Sequence, residues 1–499
     1  MTTAVYDDLA RHWSRLHRFA HVHAMASWDR AAMMPRKGNE ARAQALAEMD
    51  ALLHGLRTEP RLADMIARAE QEPLDDAQRA NLREIRRSWT GANALPAPLV
   101  ERLSLATSRC QHAWEKQRPA GDWAGFVVNL REVVRLVREE AKCLGAATGV
   151  APYDALMDKY EPGMTGAEAE RVFADLQSWL PGLLRAARER QAGKTTTPTR
   201  GPFPKEAQRA LSLDVMKLLG FDFEAGRLDE SAHPFSGGVP EDTRLTTRYS
   251  TDDFLRSLFG TIHETGHARY EQNLPRELLG QPVAQARSMA IHESQSLAFE
   301  MQLGRHPGFV ATIAPLVARH FGAQPAFDAA NLQRLVTRVE PGLIRVDADE
   351  ISYPAHVILR FGIERRLVAG EIEADDIPAL WNEGMATLLG VDTRGDFTDG
   401  CMQDVHWSAG LFGYFPCYTL GAMYAAQWFA AIRQATPDLD ARIAAGDLAP
   451  VFDWLRDKIW LPASRWPTAE LATRASGEPL NPLHFRRHLE TRYLGRATV

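Results

Sequence analysis

His263 and His267 stand four residues apart in GTIHETGHARY, with Glu264 directly after the first. On a helix this spacing puts both imidazoles on one side, a turn apart, where they can reach a single tetrahedral ion while Glu264 points beside it. That is the HExxH arrangement of zinc hydrolases, in which the glutamate serves as general base. The competing reading is a pair of satisfied histidines on a helix surface.

A third donor decides between the two. The metzincin pattern requires glycine at position 270 and histidine at position 273, but the chain has Tyr270 and Asn273, which excludes that branch. The alternative is a glutamate from a following helix. PVAQARSMAIHESQSLAFEMQLG, from Pro282 to Gly304, predicts one, with proline at its start and glycine at its end. Met289, Ile291, Leu297 and Phe299 flank Glu293 there, so its carboxylate is expected to be buried and to need a partner, of which a metal is the economical one. Glu300 is the competing ligand, and His292 is expected to bond a ligand from behind. Glu264 to His267 also fits the ExxH signature of di-iron bundles, and Glu230 to His233 repeats it. Pro234 follows at once and puts that second match in a turn.

The helix carrying the histidines has a clear start. Ser250, Asp252 and Asp253 offer caps, Phe254, Leu255, Leu258, Phe259 and Ile262 supply a buried face, and Pro275 ends it. Just before it, DTRLTTRYS from Asp242 to Ser250 predicts a short strand, with Arg244, Thr246 and Arg248 on one face and Leu245, Thr247 and Tyr249 on the other. As an edge strand it would be placed to pair with an extended peptide. Elsewhere apolar residues recur at three- and four-residue spacing and predict helix almost throughout, with residues 40–56 and 125–144 amphipathic and residues 165–190 opening on a Thr165 cap and an acidic first turn. QAGKTTTPTRGPFPK, residues 191–205, breaks the period and marks a surface connection between helical lobes of what reads as one domain over residues 1–499.

The chain has 499 residues, 45% hydrophobic and 24% charged, enough for a sizeable core. Its 58 Lys and Arg stand against 64 Asp and Glu, so no basic excess points to nucleic acid or an anionic membrane. Cys110, Cys143, Cys401 and Cys417 lack CxxC spacing, which argues against a disulfide framework or a thiolate zinc cluster and fits a cytoplasmic protein. The first residues, MTTAVYDDLARHWSRLHRFAH, have no apolar secretory core. From Ser408 to Ile432 no charge occurs, a length able to span a bilayer. Gly410, Gly413, Pro416, Gln427 and several hydroxyls interrupt it, so a buried helix and its preceding turn are expected there.

Five motifs, in order, give the chain a resemblance to the M32 metallocarboxypeptidases, the carboxypeptidase Taq family. DxRxT stands at Asp242, Arg244 and Thr246, HExxH at His263 to His267, and HESQ at His292 to Gln295. IRxxAD stands at Ile344, Arg345, Ala348 and Asp349, and GxxQDxHW at Gly400, Gln403, Asp404, His406 and Trp407. SWDRAAMMP around Trp28, YDALMDKYEPGMT from Tyr153 and GYFPCYTLGAMYAAQ from Gly413 also look like this family. The resemblance covers nearly the whole chain. It implies a mainly α, two-lobed fold around a deep groove with a short β element beside the active-site helix, one divalent metal per chain, and a homodimer.

The reaction expected is hydrolysis of the last peptide bond of a peptide with a free C-terminal carboxylate. His263, His267 and Glu293 are the metal ligands, with Zn2+ favoured by ligand type and Co2+ or Mn2+ as alternatives, and Glu264 is the base. His406 and Tyr414 are candidate oxyanion donors. Against them stand a core-aromatic reading of Tyr414 and Tyr418 and a structural pair between His406 and Asp404. Arg345 is the first candidate to grip the substrate carboxylate, and Arg244, oriented by Asp242, the second, with Asp404 counted among the same substrate residues. The competing reading for Arg345 is a salt bridge to Asp347 or Asp349. A zinc endo-oligopeptidase with an open groove and a silent metal- or peptide-binding protein are the alternative functions.

Overall fold

The computed structural model describes residues 3–496. Helix takes 67% of the chain and strand 3%, the mainly α outcome that the apolar spacing predicts. Two compact units form. The first holds the chain up to Ala92, Thr195–Val336 and Gly421–His484, and the second holds Asn93–Lys194, Thr337–Leu420 and the chain from Phe485. One crossing falls within the 191–205 segment, where residues 194–204 have no regular structure.

The three helices expected over 40–56, 125–144 and 165–190 form as Asn39–Arg57, Trp123–Thr148 and Gly166–Gln191. Thr165 accepts from Glu168 N while the Glu168 carboxylate accepts from Thr165 N, so two otherwise unpaired donors of the first turn are satisfied reciprocally. The uncharged stretch folds as a turn followed by helix Pro416–Ala435, with Leu420, Met423, Trp428 and Phe429 fully buried. Among the described residues no helix is long and apolar enough to cross a membrane.

In the first unit the HExxH helix runs Phe254–Gln272 and stops ahead of Pro275. Asp253 caps it by accepting from Leu255 N at 2.9 Å and Arg256 N at 3.4 Å, and Phe254, Leu258, Ile262 and Tyr270 bury its inner side. The next segment departs from expectation. Pro282–Ala284 is a 3-10 turn, the α-helix is Met289–Leu297, and Ala298–Gly304 continues as a π-helix. Proline suits the first position of a 3-10 turn as well as that of an α-helix, whereas Ser288 supplies the acceptor that starts the helix, 3.1 Å from Ile291 N.

A three-stranded sheet packs beside the HExxH helix: β1 (Gly226–Glu230), β2 (Ser236–Val239) and β3 (Asp242–Thr247), in the order β1-β3-β2. β3 is the predicted strand, but it is central, parallel to β1 and antiparallel to β2, so it offers no free edge to a peptide. It buries Thr243, Leu245, Thr246 and Thr247, and leaves Asp242 and Arg244 half-buried.

Candidate metal centre

The HExxH helix and the Glu293 helix meet at Gly266. A Cβ there would lie 2.5 Å from Gln295 O and 2.7 Å from Ser296 Cα, so only glycine lets the two backbones come this close. Gly421, on the helix Pro416–Ala435, does the same behind Glu293. Its Cβ would fall 2.7 Å from Glu293 Cγ and 2.8 Å from Glu293 Cβ.

This packing gathers His263, His267 and Glu293 so that one donor atom of each lies within 4.8 Å of the others. His267 Nε2 is 3.3 Å and His263 Nε2 3.9 Å from the same Glu293 oxygen, Oε2. Tetrahedral ligands at about 2.0–2.1 Å from an ion stand about 3.4 Å apart, so two imidazoles and one carboxylate fit a single divalent cation with a fourth position open. Among the described residues no other such group of His, Cys, Asp and Glu is gathered. Glu230 closes β1 and His233 lies in the turn beyond it, so the second ExxH builds no di-iron set.

The opposite edges of the imidazoles are held from behind. Glu300 Oε2 lies 2.9 Å from His263 Nδ1, and Arg305 donates to Glu300 Oε1 at 2.8 Å. His292 Nδ1 lies 2.5 Å from His267 Nδ1, and its Nε2 is 2.8 Å from Glu271 Oε1. Glu300, weighed above as a ligand, thus stands behind His263, and His292 takes the supporting position expected of it. Glu271, which holds His292, belongs to no motif of the sequence, although its place four residues after His267 puts it on the same helix face.

Burial disfavours charge throughout this site, and the neighbours decide where charge survives. At His263 burial is outweighed by Glu293 and Glu300, and the pKa rises to about 10. At His267 burial is reinforced by His292, and the pKa falls to about 4. Burial of Glu300 is overcome by Arg305 and His263, which hold it down to about 2. Glu264 is buried beside the donors and raised by that burial, with His263 and a Ser236 hydrogen bond opposing.

Also in the first unit, Arg244 forks onto Asp242, donating through Nε and Nη2 at 2.8 Å each. In the second unit Asp404 Oδ1 accepts from Arg345 Nε at 3.1 Å and Nη2 at 2.8 Å, while Oδ2 accepts from Arg360 Nε at 2.6 Å. The carboxylate partner of Arg345 is therefore Asp404 and neither Asp347 nor Asp349. Asp349 instead accepts from the backbone of Ile351 and Ser352. Arg345 Nη1 donates to Tyr353 OH at 3.0 Å, and its guanidinium lies 4.6 Å above the Tyr418 ring. Two arginines on one carboxylate leave one surplus positive charge. Burial and then Arg345 push His406 down to about 3, so its imidazole is neutral. Its Nε2 is 2.9 Å from Tyr418 OH, and its Nδ1, 3.8 Å from Asp404, is buried without a hydrogen-bond partner. Tyr414 packs edge-on against Tyr160 at 5.0 Å. Nothing in the spacing of Arg360 and Tyr353 marks them in the sequence as partners of Asp404 and Arg345.

The sequence matches the carboxypeptidase Taq (M32) metallopeptidase family over residues 8–493. It is 40% identical over 503 residues to thermostable carboxypeptidase 1 of Thermus thermophilus, covering 98% of each chain. It is 33% identical over 487 residues to carboxypeptidase 1 of Bacillus subtilis, covering 96% of each. Among solved structures, metallocarboxypeptidase 1 of Trypanosoma cruzi superposes with a TM-score of 0.97 at 46% identity, over 99% of this chain and 100% of that one.

Proposed function

The chain belongs to the carboxypeptidase Taq (M32) metallopeptidases and is a metal-dependent carboxypeptidase, and on that premise we propose that His263, His267 and Glu293 hold its single ion, zinc by donor type. The observation that carries the reading is the convergence of one donor atom from each of His263, His267 and Glu293 within 4.8 Å, with both Nε2 atoms facing Glu293 Oε2. When bound, such an ion polarises the scissile carbonyl and lowers the pKa of water. Glu264, beside the donors but not among them, receives the proton of the attacking water and delivers it to the leaving amine. Glu300 and His292 keep both Nε2 lone pairs turned inward.

His406, neutral and with an unpartnered Nδ1, is our first oxyanion donor, and Tyr414 the second. Arg345, oriented by Asp404, grips the C-terminal carboxylate, a role supported by the surplus cation that Arg360 adds to the pair. Arg244, forked on Asp242, is the second cation along the peptide. Short intracellular peptides are the substrates we propose, with the enzyme a cytoplasmic homodimer. The first part is supported by the lack of disulfides among the described residues, and the dimer by the family resemblance alone.

Time-resolved mass spectrometry of one peptide, free or amidated at its C-terminus, together with elemental analysis, tests the assignment. We expect stepwise loss of C-terminal residues from the free peptide only, and one zinc per chain. Equal cleavage of the amidated peptide, or internal fragments, would overturn the carboxylate-gripping role, and a protein mass matching one chain would remove the dimer.

A further inference from the structure

Trp28 lies in the SWDRAAMMP stretch, which the metal centre leaves without a role. It sits on helix Ala4–Ala32 and is 6% exposed. Two guanidinium groups lie over its ring, Arg244 at 4.5 Å and Arg227 at 5.3 Å from the centroid. Arg227 and Arg244 are register partners on the parallel strands β1 and β3, so both side chains leave the same face of the sheet. Each forks onto the carboxylate two residues along its own strand, Arg227 onto Asp229 at 2.6 and 2.8 Å, and Arg244 onto Asp242.

For Arg244 these contacts divide the work of orientation. Asp242 takes Nε and Nη2 and so fixes the guanidinium within its plane, but a fork alone leaves that plane free to tilt. The electron-rich face of the indole removes this freedom, because a cation is attracted to the ring centre. Nη1 is then the remaining edge, with no hydrogen-bond partner among the described residues, on a side chain that is 23% exposed.

We propose that Trp28 is a positioning residue for substrate, holding Arg244 with Nη1 presented to the peptide. This rests on the reading that Arg244 contacts the peptide. Pre-organising a guanidinium lowers the cost of ordering it when substrate arrives, so the effect belongs to binding and not to the chemical step.

Steady-state kinetics on short free peptides, with thermal melts alongside, test it. Trp28→Leu should raise KM about 10-fold and Trp28→Phe, which keeps a smaller ring face, about 3-fold, both with kcat within about two-fold of the parent. Adding Trp28→Leu to Arg244→Ala should raise KM no further, because the indole acts through that arginine. If the leucine variants do not fold, the phenylalanine substitution, alone and on Arg244→Ala, carries the test. A parental KM in the Trp28 variants, a loss confined to kcat, or an equal rise on the Arg244→Ala background overturns the proposal. An unchanged KM in Arg244→Ala itself removes the role of Arg244 as well, which separates failure of that reading from failure of the inference.

Discussion

Glu300 stands 2.9 Å behind His263 Nδ1, on the side away from Glu293, with its other oxygen held by Arg305 at 2.8 Å. The carboxylate therefore fixes which nitrogen of His263 faces the metal position, and it makes the imidazole a stronger donor. The π-helix that carries Glu300 begins directly after the α-helix that carries Glu293, so both carboxylates reach His263 from one continuous segment.

Glu300→Ala should lower metal affinity about 10- to 100-fold while leaving the three ligands in place. Competition with a chromophoric chelator measures this. An affinity equal to the parent's would mean that His263 owes its orientation to something other than Glu300.

Gly421→Ala should be more damaging than its size implies. The new methyl would overlap Glu293 Cγ and Cβ at 2.7 and 2.8 Å and press on Ala290 O at 3.2 Å, so the ligand stem or the helix must move. We expect metal content well below one per chain, with a stability loss of about 1–3 kcal/mol, the usual range for overpacking. Full metal content by elemental analysis would show that Glu293 has more room than this contact allows.

Glu264→Gln should keep its metal and lose turnover by about 100- to 10,000-fold, because the amide cannot accept the proton of water. His263→Ala should lose both. Substantial turnover in the metal-loaded glutamine variant would take the role of base away from Glu264.

How far these features could be read in advance varied with how local their causes are. The HExxH helix was legible because Asp253 and the Phe254, Leu258, Ile262 spacing act within a few residues of each other. β1 and β2 were not, since GRLDE and SGGV have little intrinsic strand preference and pair only because β3 lies between them. The Glu293 helix starts after Ser288 and not at Pro282, because proline at a first helical position suits a 3-10 turn as well as an α-helix. The change to π-helix after Leu297 carries no sequence mark that we can identify. Arg345 was paired with neighbours in sequence, Asp347 and Asp349, while its partner lies at Asp404, a choice made by tertiary packing. The candidate trio His263, His267 and Glu293 therefore stands in pattern and resemblance, whereas the place of Glu300 behind His263 and of Glu271 behind His292 depends on how the helices pack.

Glu364 in the second unit gives the molecule a distinctive pH response. Its carboxylate accepts from Tyr153 OH at 3.0 Å, Trp407 Nε1 at 2.9 Å and Gly413 N at 3.0 Å, tying together the segment that carries His406 and Tyr414. Complete burial outweighs these three donors and lifts its pKa from 4.5 to about 7. A carboxyl whose folded pKa is raised binds more protons folded than unfolded across that interval, so its contribution is fully present below about 4.5 and is lost as pH rises through about 7. A shift of this size corresponds to roughly 3 kcal/mol. Glu364→Gln cannot ionise, and its amide NH2 must face donors, so the variant starts out less stable than the parent. The gap between them should narrow by roughly 3 kcal/mol between about pH 4 and 8 and then stay level, as read from denaturant melts at each pH. A gap that is constant, or that widens with pH, would show that Glu364 is ionised throughout and that its three donors overcome the cost of burial.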